Sequence, residues 1–171
     1  MKTYISLVLT GLILSGCSSL TTEQKAKLDN LTPCEKMDGL IAAYDNRFEA
    51  LKDTKVKTPY LDVWSAKYNV FGNNCQVTSF NNQTVTYRCQ ENYKDQQQAV
   101  DMHKQAVELT RQCLTKNSNW LETQKESETS LRTTFVLDDK SPVISVYTSK
   151  TLSKIKTWST SLEVGKPVAT K

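Results

Sequence analysis

Glycine and histidine are scarce in this chain, and their scarcity removes whole classes of chemistry. The 171 residues include five glycines, at positions 11, 16, 39, 72 and 165. The spaced glycines of a P-loop or of a dinucleotide-binding turn cannot be written with them, so neither phosphate cradle is available. A single histidine, His103, excludes an HExxH pair, and the GxSxG elbow of serine hydrolases is missing as well. Five cysteines occur without one CxxC, which argues against a zinc site. No metal and no cofactor is expected. Charge of one sign is also in short supply, with 22 Lys and Arg against 18 acids spread along the chain. A dedicated nucleic-acid binder carries a basic stripe, and this chain has none. Finally, the longest apolar run, residues 4–14, falls well short of the roughly 20 residues that a membrane-spanning helix needs.

That short run is informative in its own right. Lys2 precedes it, and the small residues Ser15 and Gly16 close it before Cys17, the layout of a secretory signal peptide with its charged, apolar and cleavage regions. An ordinary cleaved signal that happens to end at a cysteine is one reading. However, Leu14-Ser15-Gly16-Cys17 resembles the lipobox of bacterial lipoproteins. The resemblance implies thioether lipidation of Cys17, cleavage before it and acylation of the new amino terminus. Several acyl chains on one residue anchor a protein stably where a single chain holds it only marginally. Ser18 and Ser19 follow, with no aspartate. By resemblance to the sorting pattern of enteric lipoproteins, that favours the outer membrane, with the domain in the periplasm. The expected first partner is therefore the lipid bilayer, met through Cys17.

Periodicity then divides the chain into a signal peptide (1–16), a lipidated tether with some helical character (17–31), one domain (32–165) and a short tail (166–171). Thr32, Pro33 and Glu35 form a helix start: a cap, a residue suited to the first turn, and the acid of a capping box. Met37, Leu40, Ile41, Tyr44, Phe48 and Leu51 recur at three- and four-residue steps, which predicts a helix to about residue 52. Residues 53–74 carry mixed signals and read as irregular with a short strand. Val77 and Ser79, then Val85 and Tyr87, flank the polar turn Asn81-Asn82-Gln83 and predict a hairpin that places Cys75 opposite Cys89. Residues 94–114 read as a second helix with the ridge Ala99, Met102, Ala106, Leu109 and Cys113. Residues 120–129 read as loop or edge, and strands are expected at 131–137, 143–148 and 155–164. The predicted fold is α+β, with two helices on one face of an antiparallel sheet of about five strands.

With Cys17 lipidated, Cys34, Cys75, Cys89 and Cys113 form an even set in an oxidising space, which reads as two disulfides among three connectivities. Topology selects one. If consecutive elements reverse direction, the start of the first helix and the end of the second share a pole, so Cys34 pairs with Cys113 and the hairpin cysteines Cys75 and Cys89 pair with each other. This layout is similar to that of small periplasmic α+β proteins of Gram-negative bacteria, some of which neutralise secreted toxins as immunity partners.

Candidate chemistry is sparse. His103 could act as a general base in a small envelope hydrolase, but it lies within the apolar face of a helix, where an imidazole more often bonds a neighbouring backbone carbonyl. Asp138 and Asp139 read as a solvated turn. Tyr60, Trp64, Tyr68 and Phe71, on a long segment without clear periodicity, are the candidate anchors for a protein partner, although they equally suit one end of the core. Lys150, Lys154 and Lys156 could face anionic lipid or glycan, or simply keep an edge strand soluble. The expected function is a non-enzymatic, membrane-anchored envelope lipoprotein that binds a protein partner.

Overall fold

The computed structural model describes residues 21–80, 84–115 and 119–166. Cys17 and its lipobox, tether residues 17–20, the hairpin turn 81–83 and tail residues 167–171 lie outside them. The described chain is α+β, with helices α1 (Thr22–Asp29), α2 (Pro33–Ala43) and α3 (Gln96–Leu114). Eight strands accompany them: β1 (Lys52–Val56), β2 (Asp62–Ala66), β3 (Cys75–Phe80), β4 (Thr84–Tyr93), β5 (Leu121–Ser127), β6 (Ser130–Val136), β7 (Val143–Lys150) and β8 (Trp158–Gly165). They form one antiparallel sheet in the order β1-β2-β3-β4-β8-β7-β6-β5. The expectation of two helices and about five strands is therefore too small by one helix and three strands.

The predicted caps form. The Thr32 hydroxyl accepts from the Glu35 amide at 3.3 Å while the Glu35 carboxylate accepts from the Thr32 amide at 2.7 Å. Thr21 and Gln24 make the same box at the start of α1, which lies within the expected tether. α2, however, stops at Ala43 rather than near residue 52. Arg47 and Phe48 turn to positive φ, 56° and 57°, and the Phe48 amide donates to the Ala43 carbonyl at 2.8 Å. Two non-glycine residues in this left-handed region cost free energy. The return is packing, because the reversal sets the fully buried Phe48 ring 6.0 Å from Tyr44 and 6.4 Å from Tyr87. The apolar spacing that suggested a longer helix is thus met by a helix, a turn and a 3-10 segment, Glu49–Leu51.

Residues 53–74, expected to be largely irregular, hold most of β1 and all of β2. β1 has a bulge between Lys52 and Lys55, and its three central residues are exposed, so it lacks the alternation of a half-buried strand. The hairpin register matches the expectation residue for residue: Cys75 faces Cys89, Val77 faces Tyr87 and Ser79 faces Val85. Both disulfides form, Cys34–Cys113 tying α2 to α3 and Cys75–Cys89 bridging β3 to β4.

α3 lies on the sheet over β4, β7 and β8, and α2 packs beside α3. The core is the interface between this helix layer and the inward side chains Tyr87, Cys89, Phe135, Ile144, Val146, Leu162 and Val164. The opposite face of the sheet carries Thr78, Thr86, Arg88, Thr134, Ser145, Tyr147 and Glu163 in the alternate register positions. The pairings also define two ends. At one lie Phe80, the β1–β2 connection and the β6–β7 turn; at the other lie Lys150 and Trp158, with the start of β1 and the finish of β2.

Candidate functional site

His103 is 2% exposed and hydrogen-bonded on both ring nitrogens, to the Thr148 hydroxyl through Nδ1 at 3.1 Å and to the Thr133 hydroxyl through Nε2 at 2.9 Å. Its partners are threonines of β7 and β6, not the backbone carbonyl that the sequence suggested. Thr148 in turn lies 2.9 Å from the Thr160 hydroxyl, which donates to the Ala99 carbonyl at 2.8 Å. A carbonyl can only accept, and this sets the direction of the whole chain. Thr160 gives its proton to Ala99, so Thr148 donates to Thr160 and accepts from Nδ1–H of His103. Nε2 is left as the acceptor for Thr133. The imidazole is neutral, and burial pushes its pKa down to about 4. A base enclosed in this way has no path to a substrate. Its work is to satisfy two inward threonines, Thr148 and Thr133, where α3 crosses the sheet.

The four aromatics of the 60–71 segment separate. Tyr68 and Phe71 are buried at 7% and 6% exposure. The Tyr68 hydroxyl donates to the Lys36 carbonyl at 3.0 Å, and burial pushes its pKa up to about 12. That hydroxyl also sits where a Cβ on Gly39 would fall, 2.8 Å away, which accounts for a glycine within α2. Tyr68 and Phe71 are core residues and are not available to a partner. Trp64 is half-buried, on the helix side of β2, with Lys52 Nζ 4.0 Å from its ring centroid and Lys55 Nζ at 5.4 Å. Tyr60 alone stands free, at 85% exposure.

Sequence reading missed the neighbours of Tyr60. Leu61 precedes the Asp62/Ser79 pair and Phe80 follows it, so both flank one cross-strand position, exposed at 38% and 56%. Phe80 also lines a shallow depression on the open face with Thr78, Thr84, Thr86, Arg88 and Glu163. Arg88 Nε bonds Glu163 Oε1 across it at 3.1 Å. The available signal was parity: with Val77 and Ser79 facing in, Phe80 must face out.

Asp138 and Asp139 form a turn, as expected. The Asp138 carboxylate accepts from the amides of Lys140 and Ser141, at 3.0 and 2.7 Å, and its hydrogen bonds with Ser141 hold its pKa below the usual range. Among the described residues no three His, Cys, Asp or Glu side chains converge as a metal site, and no helix is long and apolar enough to cross a membrane. Comparison of the chain with family models, with curated proteins and with solved structures found no match.

Proposed function

We propose that this chain is a cell-envelope lipoprotein, held at the outer membrane by lipid on Cys17, whose α+β domain binds a protein partner and carries no catalytic centre. The observation that carries the reading is the sequence Leu14-Ser15-Gly16-Cys17 at the end of a short apolar run. The two disulfides add support, because they use every cysteine beyond Cys17 and such bonds persist in oxidising compartments. The enclosed His103 supports a binding role over hydrolysis. Tyr60, Leu61 and Phe80, large and exposed at one end of the sheet, are the surface best suited to anchor a partner, since large apolar side chains dominate such contacts.

Two measurements test the reading. Metabolic acyl labelling of the wild-type chain, lost in Cys17→Ala, is expected; equal labelling of both removes the lipoprotein assignment. Photocrosslinking residues placed at Tyr60 and Phe80 are expected to trap one discrete partner in the envelope, whereas the same probe at Glu126 on β5 traps none. Equal adducts at all three positions would place the binding surface elsewhere.

A further inference from the structure

The connection between β7 and β8 combines two features: it is held by hydrogen bonds of its own, and it displays bare aliphatic side chains. Leu152 is fully exposed and Ile155 is 79% exposed. Two of the loop's hydroxyls meanwhile bond part of its backbone. Thr151 Oγ1 donates to the Lys156 carbonyl at 2.6 Å, and Ser153 Oγ accepts from the amides of Ile155 and Lys156, each at 3.3 Å. The Thr157 hydroxyl pins the loop to the Lys94 carbonyl at 2.9 Å. Each backbone group bonded within the loop lowers the cost of moving it out of water. Lys150, Lys154 and Lys156 are interspersed with the two aliphatics along the loop, with no acid between residues 150 and 157. On the flanking elements, the Asp95 carboxylate is committed to capping α3, and Glu126 and Glu128 lie at the β5–β6 turn.

We infer that this loop is a second membrane contact, which lays Leu152 and Ile155 into the headgroup region of a bilayer containing anionic lipid. Position favours this occupant. β4, β8 and β7 run on past the Cys89/Leu162 row to Tyr93, Trp158 and Lys150, an overhang of about 13 Å at the strand rise per residue. α1 lies at that same end of the sheet: Gln24, Lys27 and Leu28 share a shallow depression with Ala50, Leu51 and Lys67, the residues bordering the start of β1 and the finish of β2. From Thr21 back to Cys17 is four residues, a span of at most about 14 Å. The described chain on the Cys17 side of the domain therefore begins at the loop's end of the sheet. The inference rests on the proposed function only for the position of the anchor. Exposed aliphatics interspersed with lysines suit the headgroup boundary of an anionic leaflet, with each lysine worth about fivefold in occupancy.

The test uses the full chain, isolated as the cell processes it, with Ile155→Cys carrying an environment-sensitive fluorophore and Lys57→Cys, at the opposite end, as control. In phosphatidylglycerol vesicles the label at 155 is expected to shift to the blue and to be quenched by lipids brominated near the headgroup, while the label at 57 stays aqueous. Adding Lys150→Gln, Lys154→Gln and Lys156→Gln is expected to lower loop occupancy by about 100-fold, three fivefold steps. An aqueous label at 155 on vesicle-bound protein overturns the inference. So does a chain that binds soluble dextran sulfate as well as vesicles while its label stays aqueous, since the patch then reads charge and not lipid. Mass spectrometry of the amino-terminal peptide reports acylation separately. An acylated chain with an aqueous label refutes the loop and spares the lipoprotein reading; an unacylated chain whose label enters lipid does the reverse.

Discussion

β8 and β5 belong to one sheet and have nearly the same length, yet β8 is buried at every residue but Glu163 while every residue of β5 is exposed. Their sequences announce only part of the difference: Trp158, Leu162 and Val164 mark β8 as a strand and β5 reads as polar, but nothing in the run Ser159, Thr160 and Ser161 says that these hydroxyls are buried. Neighbours decide it. β8 is hydrogen-bonded on both sides and roofed by α3, so even its serines are closed off and its threonine joins the His103 chain. β5 has one neighbour, and its contact toward the helix layer is Glu122 reaching Arg111 at 2.8 and 3.0 Å. Burial is thus a property of a strand's place in the sheet, and a polar strand can be the centre of a core if each hydroxyl finds a partner.

The largest blow to the covered centre should come from its longest-range tie. Replacing Cys34 and Cys113 together with alanine is expected to lower unfolding free energy by a little over 4 kcal/mol on the loop-entropy model, against about 3 kcal/mol for Cys75 with Cys89. Urea unfolding of both double variants measures the gap, and the reverse ranking would contradict the view that the α2–α3 tie contributes more than the hairpin bridge. Next, Leu162→Ala in β8 should cost about 3.5 kcal/mol, because the side chain is fully buried under α3. A loss under 1 kcal/mol would mean that the centre of the sheet collapses around the gap.

His103 gives a pH-dependent version of the same comparison. Its folded pKa, about 4, lies below the ordinary 6.5. Above pH 6.5 both states are neutral and nothing is lost. As pH falls from about 6.5 to about 4 the unfolded chain takes up a proton that the folded chain refuses, and about 3 kcal/mol of stability drains away. Wild type minus His103→Gln, followed by chemical unfolding between pH 7 and pH 4, should trace that slope; parallel curves would mean that the imidazole ionises in place. The smallest effect belongs to the rim: Gln124→Ala in β5 should change stability by under about 0.5 kcal/mol. A larger loss would show that the edge strand is coupled to the core.

The legible parts of this fold are those with one face in and one face out. α3 shows its ridge plainly, and the hairpin can be paired residue by residue because two-residue alternation and a polar turn leave one register. β1, exposed at its three central residues, and β5, exposed along its length, carry no periodic signal that predicts a strand. The end of α2 was hidden for another reason: Tyr44, Phe48 and Leu51 keep helical spacing while the backbone reverses through Arg47 and Phe48, and side-chain periodicity does not report φ. The candidate site divided along the same line. Tyr60 and Tyr68 look alike in a segment without rhythm, and only their surroundings make one an exposed tip and the other a core residue.

By itself the sequence determined the short apolar run before Cys17, the oxidisable set of four further cysteines, the two main helices and the hairpin register, since each rests on local spacing or simple parity. The tertiary structure alone decided the order of the eight described strands, the direction of protons through His103, which aromatics are buried, and that Leu152 and Ile155 stand at the same end of the sheet as α1. Those are relations between residues tens of positions apart, set by which surfaces meet when the chain closes on itself, and no local pattern contains them.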